Sequence, residues 1–276
     1  MKTTLNKTNI ILISIILLSL ISSTFLGMKL AILLCLLLYL IITKHYFIKV
    51  YKGMKAYKIE NYSNALENYR DAALSKYCSG PIISNYLICE LKYGKPSIAR
   101  EYIDENLISK NIKSNEKLNL EVTKAIVLWK TNSQEEAINL LKHLIENNKN
   151  TYIYETLTSL LLASGKFNEA KKYISEAMEF NSDNNIIKSN YAELCFKFEQ
   201  FDEAEKTFDY LINENVKFIE PYYYSALLER KKGNCDKAFE LLRIAESFNE
   251  SLVSLITHKD IEQALNSVLI KSLNMN

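Results

Sequence analysis

The sequence predicts an all-α fold: a two-span apolar hairpin at the N-terminus, followed by an α-solenoid of about six helix pairs. Three observations predict it. First, a spaced alanine recurs with a bulky residue four positions on, in Ala65/Tyr69/Ala72, Ala99/Ile103, Ala137/Leu141/Leu144, Ala170/Ile174/Ala177, Ala204/Phe208/Leu211 and Ala238/Leu242/Ala245. Successive alanines stand 34, 38, 33, 34 and 34 residues apart, a period that belongs to stacked two-helix units. Second, the chain has only 6 Gly and 3 Pro in 276 residues, too few turn formers for a sandwich or barrel. Third, the N-terminal residues are almost continuously apolar.

That N-terminal stretch runs from Ile10 to Leu26, breaks at Gly27-Met28-Lys29, and resumes from Leu30 to Ile42. As one straight helix it would reach roughly 50 Å, well beyond a bilayer core of about 30 Å. Two spans folded at Gly27 fit better, with residues 1–48 forming the anchor. The second span extends through Tyr46 and Phe47, whose rings suit the interface while Lys44 snorkels. A secretory signal is the rival reading, but the apolar core is long and a second apolar stretch follows at once. Residues 1–60 carry eight Lys against Glu60. Lys2 and Lys7 precede the first span, and Lys44, Lys49, Lys52, Lys55 and Lys58 flank the second. Both flanks are therefore expected on the cytoplasmic side, with the repeats cytoplasmic at the cell membrane. Attraction to anionic lipid is an alternative use of the same lysines. With no Pro between Leu30 and Ile59, the second span is expected to run straight into the first repeat helix.

The repeats are expected over residues 46–250, with second helices around 63–74, 97–108, 135–147, 168–180, 202–213 and 236–248. Five residues before each key alanine stands Glu60, Gly94, Asn132, Gly165, Glu199 or Gly233. Gly and Asn tolerate the left-handed backbone that closes a helix, so this position marks the turn inside each pair. Ser133 and Glu136 form a capping-box pattern. Twelve residues before the alanine lie Gly53, Leu87, Ala125, Thr158, Ala192 and Ala226, mostly small side chains that let paired helices approach.

This arrangement resembles the tetratricopeptide repeat family: a small residue in the first helix, a turn glycine, an aromatic, then alanine, bulky, alanine. Tyr62, Phe167 and Phe201 fill the aromatic position, while Pro96, Gln134 and Cys235 depart from it. The resemblance implies a right-handed superhelix whose concave groove is lined by the first helices. Carried over position by position, that groove comprises Met54, Tyr57, Ile88, Trp129, Tyr152, Glu193, Phe196, Tyr223 and Arg230. Its aromatic and apolar character suits an extended peptide or an amphipathic helix. Lys58, Lys92, Lys130, Lys197 and Lys231 follow one position later. Steering of an acidic partner is one use for them; a favourable interaction with helix C-termini is the commoner one. Core packing is likewise the commoner fate of a lone tryptophan such as Trp129. After Ser251, the spacing of Leu252, Leu255, Ile261, Leu265 and Val268 predicts a terminal capping helix over 251–276.

Chemistry-bearing constellations are missing from the sequence. His45, His143 and His258 are far apart, and there is no glycine-rich phosphate loop, HExxH or nucleophile elbow. The five cysteines are scattered without a CxxC pair, so neither a metal nor a disulfide framework is expected. Beyond residue 60 the chain carries 26 basic and 31 acidic residues, which disfavours nucleic acid as a partner. The reading is a non-enzymatic, membrane-anchored scaffold without cofactor, presenting its groove to a protein or peptide on the cytoplasmic face. A peptide-sensing regulator is one alternative. An extracytoplasmic assembly factor is the other, and it requires the opposite topology.

Overall fold

The computed structural model describes residues 26–107, 110 and 112–273; the first apolar stretch, Ile10–Leu26, lies almost wholly outside them. Among the described residues there are fourteen α-helices and no strand. They divide into two compact units, with the boundary between Ile82 and Ile83.

The first unit holds α1 (Leu26–Lys44), α2 (Tyr46–Lys58) and α3 (Tyr62–Leu74), and α4 (Gly80–Tyr93) begins at its end. The expected straight run from the apolar segment into the repeats is not seen, because the chain bends by 45° at His45. Two side chains contend for backbone carbonyls there: Thr43 Oγ1 donates to Tyr39 O at 2.7 Å, and His45 Nδ1 sits 2.8 Å from Ile42 O. Among the described residues no single helix is long and apolar enough to cross a membrane. The bent pair Ile32–Lys44 and Tyr46–Lys58 meets that test together. Packing of α2 on α3 depends on Gly53, where a Cβ would stand 2.6 Å from the Tyr69 ring.

The second unit continues with α5 (Pro96–Tyr102), a π-turn over Ile103–Leu107, α6 (Ser114–Lys130), α7 (Gln134–Asn147), α8 (Thr151–Ala163), α9 (Phe167–Phe180), α10 (Asn185–Lys197), α11 (Phe201–Asn213), α12 (Ile219–Lys232), α13 (Cys235–Glu246) and α14 (His258–Leu273). Each pair α6/α7, α8/α9, α10/α11 and α12/α13 is an antiparallel hairpin. The first helices α6, α8, α10 and α12 also touch in succession, so they form one continuous layer, and α14 closes the stack against α12 and α13. Every spaced alanine is buried, and so is every residue of the small position, including the bulky Leu87 and the hydroxylated Thr158. Thr158 is accommodated because its Oγ1 donates back to Tyr154 O at 2.7 Å.

The turns follow the left-handed prediction at five of six positions: φ is +58° at Glu60, +64° at Asn132, +72° at Gly165, +60° at Glu199 and +90° at Gly233. Gly94 does not adopt it. Its glycine is required by close approach instead, since a Cβ there would meet the Glu90 carboxylate at 2.2 Å. That carboxylate accepts the Lys95 amide at 3.0 Å and closes the turn in place of a left-handed residue. The predicted Ser133/Glu136 capping box is also absent. Ser133 Oγ accepts from Arg100 Nη1 at 3.2 Å, and Glu136 stands 3.8 Å from the same guanidinium, so a cross-hairpin cation has taken both partners.

Candidate functional site

The first-helix layer carries a cleft of about 320 Å³. Helical periodicity builds its floor. Tyr152, Glu155, Thr156 and Ser159 fall on one face of α8, and Ile186, Ser189 and Asn190 on one face of α10, by three- and four-residue spacing. Ile88 and Lys92 of α4, Ile126 of α6 and Phe218 before α12 complete the helical walls. The start of α8 is fixed by Asn150, whose Oδ1 accepts the Tyr152 amide at 2.8 Å. Asn184 fixes α10 by accepting the amides of Ile186 and Ile187, each at 3.0 Å.

The floor is polar beneath apolar walls. Asn190 Nδ2 donates to Thr158 Oγ1 at 2.8 Å and to Ser159 Oγ at 3.0 Å, locking α10 to α8. Ser189 Oγ, also in the wall, is buried without a hydrogen-bond partner. Burial pushes the Glu155 carboxyl upward, although Asn184 Nδ2 donates to it at 2.6 Å. The Tyr152 phenol is raised by burial as well.

A smaller cavity of about 70 Å³ adjoins the cleft, sharing Ser159, Asn190 and Glu220 with it and adding Glu193, Lys197 and Tyr224. Burial raises the Glu193 carboxyl; Tyr224 Oη, donating to it at 2.7 Å, and Lys197 offset this only in part. Phe196, Lys197 and Arg230 border a shallow depression at the hairpin tips, together with Phe201 and Lys231. There Lys231 Nζ lies 3.5 Å above the Phe201 ring and Lys197 Nζ 5.4 Å from the Tyr224 ring. These two members of the basic series thus pack on aromatic faces.

The structure therefore gathers Ile88, Lys92 and Tyr152 into one cleft, and Glu193 and Lys197 into its neighbour. Lys130 is exposed at the end of α6, and Tyr223 is the half-buried member of a run whose other rings, Tyr222 and Tyr224, are buried. Trp129 is not a groove residue. It is 5% exposed and belongs to the central core, where α6 packs against α5, α7 and α8. Ile126, one turn earlier, lines the cleft instead. Met54, Tyr57 and Lys58 are exposed on α2 in the first unit, where the Tyr57 ring packs edge-on to Tyr62. Lys44 and Lys52 are exposed on the same unit, and Lys49 pairs with Asp71 at 2.6 Å. Sequence reasoning missed Glu155, Ser189 and Asn190; their signal was polar residues standing among apolar ones on the inner faces of α8 and α10. Among the described residues no group of His, Cys, Asp or Glu is arranged to hold a metal ion.

The tetratricopeptide repeat family model matches residues 161–229. Two solved structures share the fold. One is a tetratricopeptide repeat protein from Parabacteroides merdae, 14% identical with a TM-score of 0.51, the match covering 81% of this chain and 98% of that one. The other is PilF of Pseudomonas aeruginosa, 15% identical with a TM-score of 0.54, covering 80% of this chain and 98% of that one. No curated protein matches the chain in sequence.

Proposed function

We propose that this chain is a non-catalytic scaffold, fixed to the membrane by its N-terminal segment, that grips a peptide or helix of a partner protein on its first-helix face. One observation carries the reading: the repeat fold gathers Ile88 and Tyr152, two of the residues that the family resemblance carried over to the groove, with Lys92 of the basic series around an open, mostly apolar cleft. Apolar walls with a few convergent polar groups are what a peptide-binding groove requires. The membrane part is supported by α1, most of whose leucines and isoleucines are exposed, only the stripe through Ile32, Leu36, Tyr39 and Thr43 being covered. The cytoplasmic orientation rests on the lysines that follow α1.

The test is photo-cross-linking in the native cell. A photoreactive residue at Ile88 or Tyr152 is expected to capture a defined partner. The same residue at Lys206, exposed on the second helix α11, is expected to capture none. Capture of the same partner from Lys206, or from Lys206 alone, would move the binding surface to the other face.

A further inference from the structure

Between α13 and α14 the chain does something the sequence spacing did not predict. Residues 251–257 are not helical. Ser251 Oγ accepts the Val253 amide at 3.3 Å and Ser254 Oγ accepts the Ile256 amide at 3.1 Å, so two serine turns replace the first helical turns. Thr257 and Asp260 then start α14 with a reciprocal box: the Thr257 amide donates to Asp260 Oδ2 at 2.8 Å, and the Asp260 amide to Thr257 Oγ1 at 3.3 Å. The strap so formed does not stay at the end of the stack. Leu252 and Val253 line the 320 Å³ cleft, and Ser254, Leu255 and Ile256 line the smaller cavity beside it. Val253 packs on the core of α6–α10, a part of the fold remote in sequence.

Three features describe how this strap is held. Among the described residues no hydrogen bond joins residues 251–256 to the helices beneath, since the strap's bonded amides are satisfied by its own serines. Its fit leaves a cleft that native packing would fill. Ser189 Oγ, buried in that cleft wall, has no partner, while Leu255, which borders the smaller cavity, is still 62% exposed. An element evolved only to seal the groove would have filled the space and satisfied the hydroxyl.

We propose that residues 251–256 are a built-in occupant of the groove, holding the place of an apolar, non-helical segment of a partner protein that enters with a bulky side chain and displaces the strap. This rests on the reading of the first-helix face as a binding groove. The strap shows the chemistry that the groove accepts: a bent, non-helical backbone whose Leu252 and Val253 side chains line the cleft. Tethered at both ends, it acts at a millimolar effective concentration and needs little intrinsic affinity to stay. A partner that fills the cleft and bonds Ser189 outcompetes it, and its observed affinity is lowered by the fraction of molecules in which the strap is seated.

The test uses the full-length chain in lipid nanodiscs, with empty nanodiscs as blank. Its probe is a fluorescent, photoreactive peptide of residues 249–257 (Asn-Glu-Ser-Leu-Val-Ser-Leu-Ile-Thr). The double variant Leu252→Asp, Val253→Asp ejects the strap, and the milder Val253→Ala serves if that variant does not fold by circular dichroism. The peptide is expected to bind the strap variant at least tenfold more tightly than wild type. With Phe in place of its valine, it is expected to bind tighter still. Equal binding to both proteins, with cross-links on α8 and α10, would overturn the strap's role while leaving the groove as a binding site. Absence of binding to either folded protein would overturn the assigned ligand chemistry, and partner capture from Ile88 and Tyr152 would then judge the groove by itself.

Discussion

Glu193 and Glu229 stand on neighbouring first helices, α10 and α12, and their surroundings push them in opposite directions. Burial raises the Glu193 carboxyl, and the Tyr224 hydroxyl and Lys197 do not compensate fully. Burial would raise Glu229 too, but Asn234 at 2.6 Å and Lys237 at 2.9 Å donate to its carboxylate and hold it below the ordinary range. The linkage signs follow. A carboxyl raised by folding costs stability when ionised, and the cost is relieved as pH falls through its folded value. A carboxyl lowered by folding contributes stability above its unfolded value, and that contribution is lost as pH falls through the folded one. Glu193→Gln, which keeps an acceptor for Tyr224, is therefore expected to raise the thermal midpoint at neutral pH. Glu229→Gln is expected to lower it. Each kcal/mol corresponds to about 2–4 °C for a unit of this size. Both differences should shrink toward zero near pH 3.5, and thermal unfolding at the two pH values checks this; shifts of one sign would refute the assignment. The family resemblance carried Glu193 to the inner face. It could not reveal the bond from Tyr224, 31 residues away, because three consecutive tyrosines offer the same chemistry on three different faces.

The hairpin turns show which parts of each element are written locally. Glu60 and Glu199 occupy the left-handed region at φ +58° and +60°, where a side chain costs roughly 1–2 kcal/mol. Glycine removes that strain but loses about 0.5–1 kcal/mol of chain entropy. Glu199→Gly is thus expected to stabilise the second unit by about 0.5–1 kcal/mol, whereas Asn132→Gly should change little because asparagine tolerates the same region. Gly94→Ala is expected to destabilise for a different reason, the clash with the Glu90 carboxylate. Chemical denaturation of the three variants separates strain from sterics. The helix pairs were legible because period, alanine burial and turn position all express one repeating contact. The strap was not: Leu252 and Leu255 imitate helical spacing, and what defeats it is the serine hydroxyls and the Thr257–Asp260 box. The Thr257–Asp260 box was passed over in the sequence, and only the fold shows that the chain before it has a groove to lie in. Core packing of Trp129 was already the commoner reading, whereas the turn of Ile126 toward the cleft was hidden, since it depends on which neighbours α6 acquires.

At the scale of the whole chain, the question is what covers α1. Leu30, Leu33, Leu34, Leu37, Leu38, Leu40, Ile41 and Ile42 are each between 51% and 64% exposed, and only the stripe through Ile32, Leu36, Tyr39 and Thr43 is covered. Burial of such side chains is worth roughly 1.5–3 kcal/mol each, so a helix of this kind exposed to water would cost on the order of 10 kcal/mol or more. A bilayer removes that cost without needing a complementary protein face. The proposed first span lies outside the described residues, yet the orientation argument does not depend on whether one or two spans precede Tyr46. Lys44 ends α1, Lys49, Lys52, Lys55 and Lys58 follow it, and together they outnumber Lys2 and Lys7 before it. The full-length chain is therefore expected to stay with membranes through alkaline carbonate extraction. A reporter fused after Asn276 should be active if it is a cytoplasmic fluorescent protein and silent if it is a periplasmic-type phosphatase. Replacing Lys44, Lys52, Lys55 and Lys58 together with Gln should lower the fluorescent signal and raise the phosphatase signal as orientation becomes mixed. Phosphatase activity from the unmodified chain would place the repeats outside, and the groove would then serve partners of the opposite compartment.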